Sequence, residues 1–149
     1  MALRWLFAAL HFLALGIGLG AVWARGRALA HLTDSSGFCR VFVADNWWGV
    51  AALLWLVTGI VRLFWLEKGT AYYIHNWVFW LKMGFFLLVF LLELLPMITL
   101  IRWRIGVGRG LTPDLGRARL FARISTVQAL LIVAMVIAAS GMARGYGSF

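Results

Sequence analysis

Apolar residues run along this chain in four long blocks, about Leu3 to Ala24, Asn46 to Leu66, Trp77 to Ile101 and Phe121 to Met142. Each block is long enough to cross a hydrocarbon core, which takes about 20 apolar residues in helix. The connections are short, so sequential helices become antiparallel neighbours. The pattern predicts an all-α integral membrane protein: a single transmembrane domain over residues 1–149, folded as an up-down four-helix bundle.

Tryptophan tests this partition, because indole favours the membrane interface, where its ring is half buried and its N–H stays wet. Trp5, Trp23, Trp47, Trp48, Trp65, Trp77, Trp80 and Trp103 all lie near the span ends. Trp55 alone is mid-span and is expected to pack inside the bundle or face lipid.

Composition agrees. The 149 residues are 64% hydrophobic and 13% charged, against about 25% charged in soluble domains, and the mean hydropathy is +0.92. A net charge of +9 is a signature of nucleic-acid binding only where the cations share a soluble surface. Here they are confined to short segments beside spans, so they are read as topogenic charge that attracts anionic lipid, and no nucleic-acid partner is expected. Arg25, Arg27 and Arg40 mark one connection, and Arg102, Arg104, Arg109, Arg117, Arg119 and Arg123 another. The opposite side holds Arg4, Lys68 and Arg144, with Arg62 close by. The asymmetry places both termini outside and the two basic connections in the cytoplasm. Cys39, the sole cysteine, falls in a cytoplasmic loop and is a free thiol. Ala28-Leu29-Ala30 has the form of a signal-peptide cleavage site, but the run before it is too long and its flanking charge is reversed, so an uncleaved first span is expected. Gly16 and Gly20 form a small-x-x-x-small pair at which another helix can approach closely.

The polar residues inside the spans carry the candidate chemistry. Lys82 and Glu93 are eleven residues apart, which puts them within about 20° of one another on one helix face. A charge at mid-bilayer costs about 2.5 to 3.5 kcal/mol, so both are expected to face the bundle. His11 lies six residues past Trp5, about 9 Å along the axis. Lys82 lies five past Trp77, and Arg62 three before Trp65, so three helices bring His11, Arg62 and Lys82 to one layer in the outer half of the membrane. Glu93 is about 16 Å deeper than Lys82. Structural roles remain open beside functional ones. Arg62 and Lys82 are near enough to the interface to snorkel. His11 is alternatively a neutral imidazole bonded to helix backbone, Thr58 or Thr70, and Glu93 a group bonded across the bundle, with the carbonyl freed by Pro96 as a partner.

A joint reading assigns these groups to haem. A neutral imidazole in an aromatic-rich bundle is an axial iron ligand, and two cations at its level pair with propionates. His11 is then the metal ligand, His75 a second axial candidate, and Arg62, Lys82 and Tyr73 line the cofactor with Tyr72 at the mouth. His31 is on the opposite side and is a poor candidate. Without a Cys-x-x-Cys-His motif, the haem is b-type.

The stretch Ala44 to Arg104 carries Asp45-Asn46, Trp48-Gly49, Thr58-Gly59, Glu67-Lys68-Gly69, Tyr73, Asn76, Phe79-Trp80-x-Lys82-Met83, Glu93, Pro96-Met97 and Ile101-Arg102-Trp103. In these it resembles a family of small bacterial predicted membrane proteins described only as a domain of unknown function. The resemblance extends over nearly the whole chain and implies a multi-pass protein of the bacterial inner membrane. More distantly, the histidine in the first span and the lysine opening the third resemble the membrane-embedded, haem-associated protoporphyrinogen oxidase of bacteria. That resemblance implies catalytic roles for His11 and Lys82, with His11 on haem.

The leading expectation is therefore a b-haem-binding membrane oxidoreductase or electron-transfer protein acting on a tetrapyrrole or quinone. The alternative is a non-enzymatic accessory subunit or assembly factor, working as a homo-oligomer or within a larger membrane complex. A small transporter using Lys82 and Glu93 as relays is a third class.

Overall fold

A computed structural model describes residues 2–66 and 73–147, the side chains of Trp65 and Leu66 excepted. Helix α1 spans Ala2–Ala30, α2 spans Phe38–Val61 and runs on as a π-helical turn over Arg62–Leu66, α3 spans Trp77–Gly108 and α4 spans Ala118–Ala143. All four are long and apolar enough to cross a membrane. Glu67 to Tyr72 lie outside the described residues, and with them the expected contribution of Tyr72.

The helices end where local chemistry dictates. Asn76 caps α3, its Oδ1 accepting from the amides of Val78 at 2.9 Å and Phe79 at 3.3 Å. At the other end of α3, Gly110 takes φ +75°. This left-handed cap lets Leu111 N–H reach the Gly106 carbonyl at 2.9 Å and Gly110 N–H reach that of Val107 at 3.0 Å. The turn after α4 docks on the start of α3: Trp77 N–H donates to the Gly147 carbonyl at 3.1 Å and Asn76 Nδ2 to that of Tyr146 at 3.0 Å. Gly147 has φ +88°, and a Cβ there would collide with Val78 and stand 2.7 Å from Asn76 Oδ1, so only glycine fits. The start of α1, the end of the π-helical turn at Leu66, the turn over 73–76 and the turn after α4 thus share one end of the bundle, the terminal end. The 31–37 and 109–117 connections form the other, the basic end.

Helix α1 packs closely on α2 and α4, and α3 packs closely on α4. Helices α2 and α3 meet instead through side chains, with ring centroids 5.7 Å apart for Phe38 and Trp103 and 5.8 Å for Trp55 and Phe86. The buried positions of α2, Phe38, Val41, Ala44, Trp48, Ala51 and Thr58, fall at intervals of three, four or seven residues, and Ala118, Phe121, Ser125, Gln128, Ile132 and Met135 of α4 alternate three and four. This is the seam pattern of a left-handed bundle.

The helices reach beyond the expected spans, with three consequences. The span ending at Ala24 continues to Ala30, so Ala28-Leu29-Ala30 forms the last turn of α1 with Leu29 buried in the core. Arg25, expected among the loop cations, is fully buried inside α1, and Cys39, expected in a loop, is an exposed residue of the first turn of α2. Trp48 and Trp103, expected at an interface, are 4% and 8% exposed and belong to the core.

Candidate functional site

Two polar layers cross the bundle. The one nearer the terminal end is built on His11. Trp55 Nε1–H donates to His11 Nε2 at 2.9 Å, so that nitrogen is an acceptor and the ring proton is on Nδ1. Nδ1 in turn meets Thr58 Oγ1 at 2.9 Å, whose hydroxyl donates to the Leu54 carbonyl at 2.6 Å. Thr58 was one of the partners expected for a neutral imidazole. Gly59 makes room for the ring: a Cβ there would stand 3.3 Å from His11 Cε1.

Arg62 and Lys82 both lie within electrostatic range of His11 and of each other. The structure therefore brings His11, Arg62 and Lys82 into one layer. Arg62 opens the π-helical turn, its guanidinium 5.7 Å from the Phe12 ring, and Lys82 Nζ is 5.9 Å from the ring of Phe79. Tyr73 holds its ring 5.6 Å from that of Phe79, tilted by 50°, in the apolar cluster of the terminal end. His75 is exposed in the turn before α3 and is not among the partners of His11.

The second layer was missed by sequence reasoning. Arg25 uses all five guanidinium N–H groups on four side chains. Nε donates to Ser125 Oγ at 3.2 Å; Nη1 donates to Asp45 Oδ1 at 2.9 Å and Glu93 Oε1 at 2.7 Å; Nη2 donates to Glu93 Oε2 at 2.7 Å and Gln128 Oε1 at 2.9 Å. The amide of Gln128 donates to Glu93 Oε2 at 2.9 Å and to the Val89 carbonyl at 3.1 Å, while the Trp48 ring lies 6.0 Å from the guanidinium carbon. At the rim, Arg104 reaches Asn46 Oδ1 at 2.7 Å and stands 3.5 Å from Asp45 Oδ2. Two arginines thus balance two carboxylates. Every helix contributes, and Gly26 allows the closeness, since a Cβ there would press on Ser125 at 3.1 Å.

Apolar layers close this network on both sides. Leu29, Val41, Leu100 and Phe121 lie toward the basic end, and Val22, Val89, Ile132 and Met135 toward the terminal end. The space between the two polar layers, lined by Ala14, Gly18, Ala51, Trp55 and Ile132, is apolar and too tight for water. Glu93 faces the interior as expected, but its partners are Arg25 and Gln128 and not the carbonyl freed by Pro96. Burying such a cation is costly unless its partners are in place, and here they are, in a two-pronged geometry.

Four apolar helices around a stapled polar core define an all-α integral membrane bundle. Residues 3–147 match the family described as "Predicted membrane protein (DUF2214)", and the chain belongs to it. No curated protein and no solved structure matches the chain, so the distant resemblance to the haem-associated oxidase finds no support there.

Proposed function

We propose that this protein works by binding, as an accessory subunit or assembly factor within the membrane, and not by catalysis. One observation carries the reading: among the described residues, no buried side-chain nitrogen or oxygen lacks a hydrogen-bond partner. A catalytic or transport site aims unsatisfied groups at a substrate, whereas Arg25, Glu93, Gln128 and His11 are all engaged by the chain itself. The apolar layer between the two polar levels also interrupts any relay from Lys82 to Glu93. What the molecule offers outward is apolar surface, greatest on α2 and α3. The test is native electrophoresis of the chain, gently solubilised at its native expression level. A colourless assembly well above 16.7 kDa with a companion in fixed ratio is expected. A chain that runs alone and oxidises a porphyrinogen or quinol overturns the reading.

A second reading takes the juxtaposition of His11, Arg62 and Lys82 as a site for b-type haem in an oxidoreductase of tetrapyrrole or quinone. As arranged, the residues do not fit the group. Iron needs a free imidazole nitrogen, and His11 Nε2 accepts from Trp55 while Nδ1 is bonded to Thr58. An absorption spectrum of protein expressed with ample haem decides: a stoichiometric Soret band lost in His11→Ala establishes this reading, and a colourless protein removes it.

A further inference from the structure

Helix α1 presents a row of small residues, Gly16, Gly20 and Ala24, that lie on one face by the helical repeat. The sequence suggests that a second helix packs there, but α2 packs elsewhere, against Gly18, where Ala51 and Trp48 both come within 3.4 Å of a Cβ position. A Cβ on Gly16 or Gly20 would meet nothing within 4 Å. The space beside Gly20 is part of a groove of about 510 Å³ between α1 and α2. Its walls are apolar, formed by Ile17, Gly20, Ala24, Val43 and Trp47, and its end toward the basic connections is lined by Cys39 and Arg40.

From this groove we infer a site for one anionic phospholipid, its acyl chain along Gly20 and Ala24 and its phosphate on Arg40. Charge selects this occupant. Arg40 is exposed and its guanidinium makes no hydrogen bond or ion pair among the described residues. Arg27 lies on the α1 face within about 20° of Gly20, two turns nearer the basic end. A second copy of the chain docked here about a two-fold axis would bring like arginines together at the seam, which is unfavourable at a low-dielectric interface. A phosphate meets the same cations favourably, and an acyl chain adapts to a groove floored by glycine.

Native mass spectrometry of the full chain, released from micelles holding equal amounts of phosphatidylglycerol and phosphatidylcholine, tests the site. One retained phosphatidylglycerol per chain is expected, favoured at least about fivefold over phosphatidylcholine, a fold-change that one charge-assisted contact readily supplies. Arg40→Gln should bring the two lipids near parity. Gly20→Leu should abolish retention without disturbing the fold, because its added side chain enters open space and improves helix propensity. Alkylation of Cys39 provides a second readout: phosphatidylglycerol should slow it in the wild type and in neither variant. Equal retention of the two lipids overturns the proposal, as does protection of Cys39 that persists in Gly20→Leu, which would indicate general surface charge. Release as a dimer that cross-links through Cys39 also overturns it, in favour of a second copy.

Discussion

Arg25 and Glu93 face each other across the bundle in a two-pronged pair, each prong 2.7 Å long. Helices α1 and α3 are not close neighbours, so this pair, with Asp45 and Gln128, holds together elements whose backbones do not touch. Arginine suits the position because its planar fork serves five acceptors at once and its stem spans the gap.

Removing one side of such a pair leaves the other charge buried. Arg25→Met should destabilise the bundle by about 3 to 5 kcal/mol, read as a lower unfolding midpoint in mild detergent. Arg25→Lys should fall between, since an ammonium cannot fork. Adding Glu93→Met to Arg25→Met should recover part of the loss by removing the stranded carboxylate. A double variant less stable than Arg25→Met alone would show that the layer is not held by this pairing.

Gln128 is expected to matter nearly as much, despite carrying no charge. Its side chain accepts from Arg25 and donates to Glu93 and to the Val89 carbonyl. Gln128→Leu keeps similar bulk but strands those groups, at a cost of about 1 to 3 kcal/mol. An unfolding midpoint equal to wild type would mean that water replaces the amide.

The four spans were legible because hydropathy alone marks them, and the layer of His11, Arg62 and Lys82 because helix direction gives depth. The Arg25 layer was hidden by the same rule that found the spans. Charges flanking an apolar run are read as marking its ends, so Arg25 and Asp45 were assigned to connections although both lie well inside helices. The usable signal was periodicity. Gly18, Val22, Arg25 and Leu29 keep the seam spacing on α1, as do Ser125 and Gln128 on α4, and Glu93 required a partner at its depth. The identity of that partner depends on how the helices are offset along the membrane, which no single span encodes.

The hydrogen bonds of His11 fix a tautomer that can be read directly. Selective ¹⁵N labelling of histidine should show His11 protonated at Nδ1, with Nε2 shifted as a hydrogen-bonded acceptor. Trp55→Phe removes the indole donor, so the Nε2 resonance should move toward that of a free ring nitrogen. Thr58→Val should leave Nε2 in place and perturb Nδ1. An Nε2-protonated ring in the wild type would contradict the arrangement.

Outside the membrane spans, Asp34 closes the connection to α2. The Ser36 hydroxyl, 2.5 Å away, and the Ser36 amide, 2.8 Å away, hold its carboxyl below the ordinary value of 3.8. The folded carboxyl is the stronger acid, so its stabilising contribution is present above the unfolded value and fades as pH falls through the folded one. Asp34→Asn should flatten this acid limb of the stability profile, and Ser36→Ala should weaken it. An unchanged limb in both variants would place the acid sensitivity elsewhere.

Orientation gives the last prediction. With Arg25 buried in the core, Arg27, Arg40, Arg102, Arg104, Arg109, Arg117, Arg119 and Arg123 remain at the basic end. They still outnumber Arg4 and Arg144 at the terminal end, even with Arg62 added and Lys68 counted there from the sequence. Positive charge is retained on the cytoplasmic side, so the basic end is expected there and both termini outside. Cys39 reports this without any added residue, because it is the only cysteine and is exposed in the first turn of α2. A membrane-impermeant maleimide should label it in inverted vesicles and spare it in right-side-out ones, and a C-terminal alkaline phosphatase fusion should be active. The reverse labelling pattern with an inactive fusion would invert the molecule in the membrane. The Arg25 layer would then lie toward the outside, but its depth relative to His11 would stand, because that follows from helix direction alone.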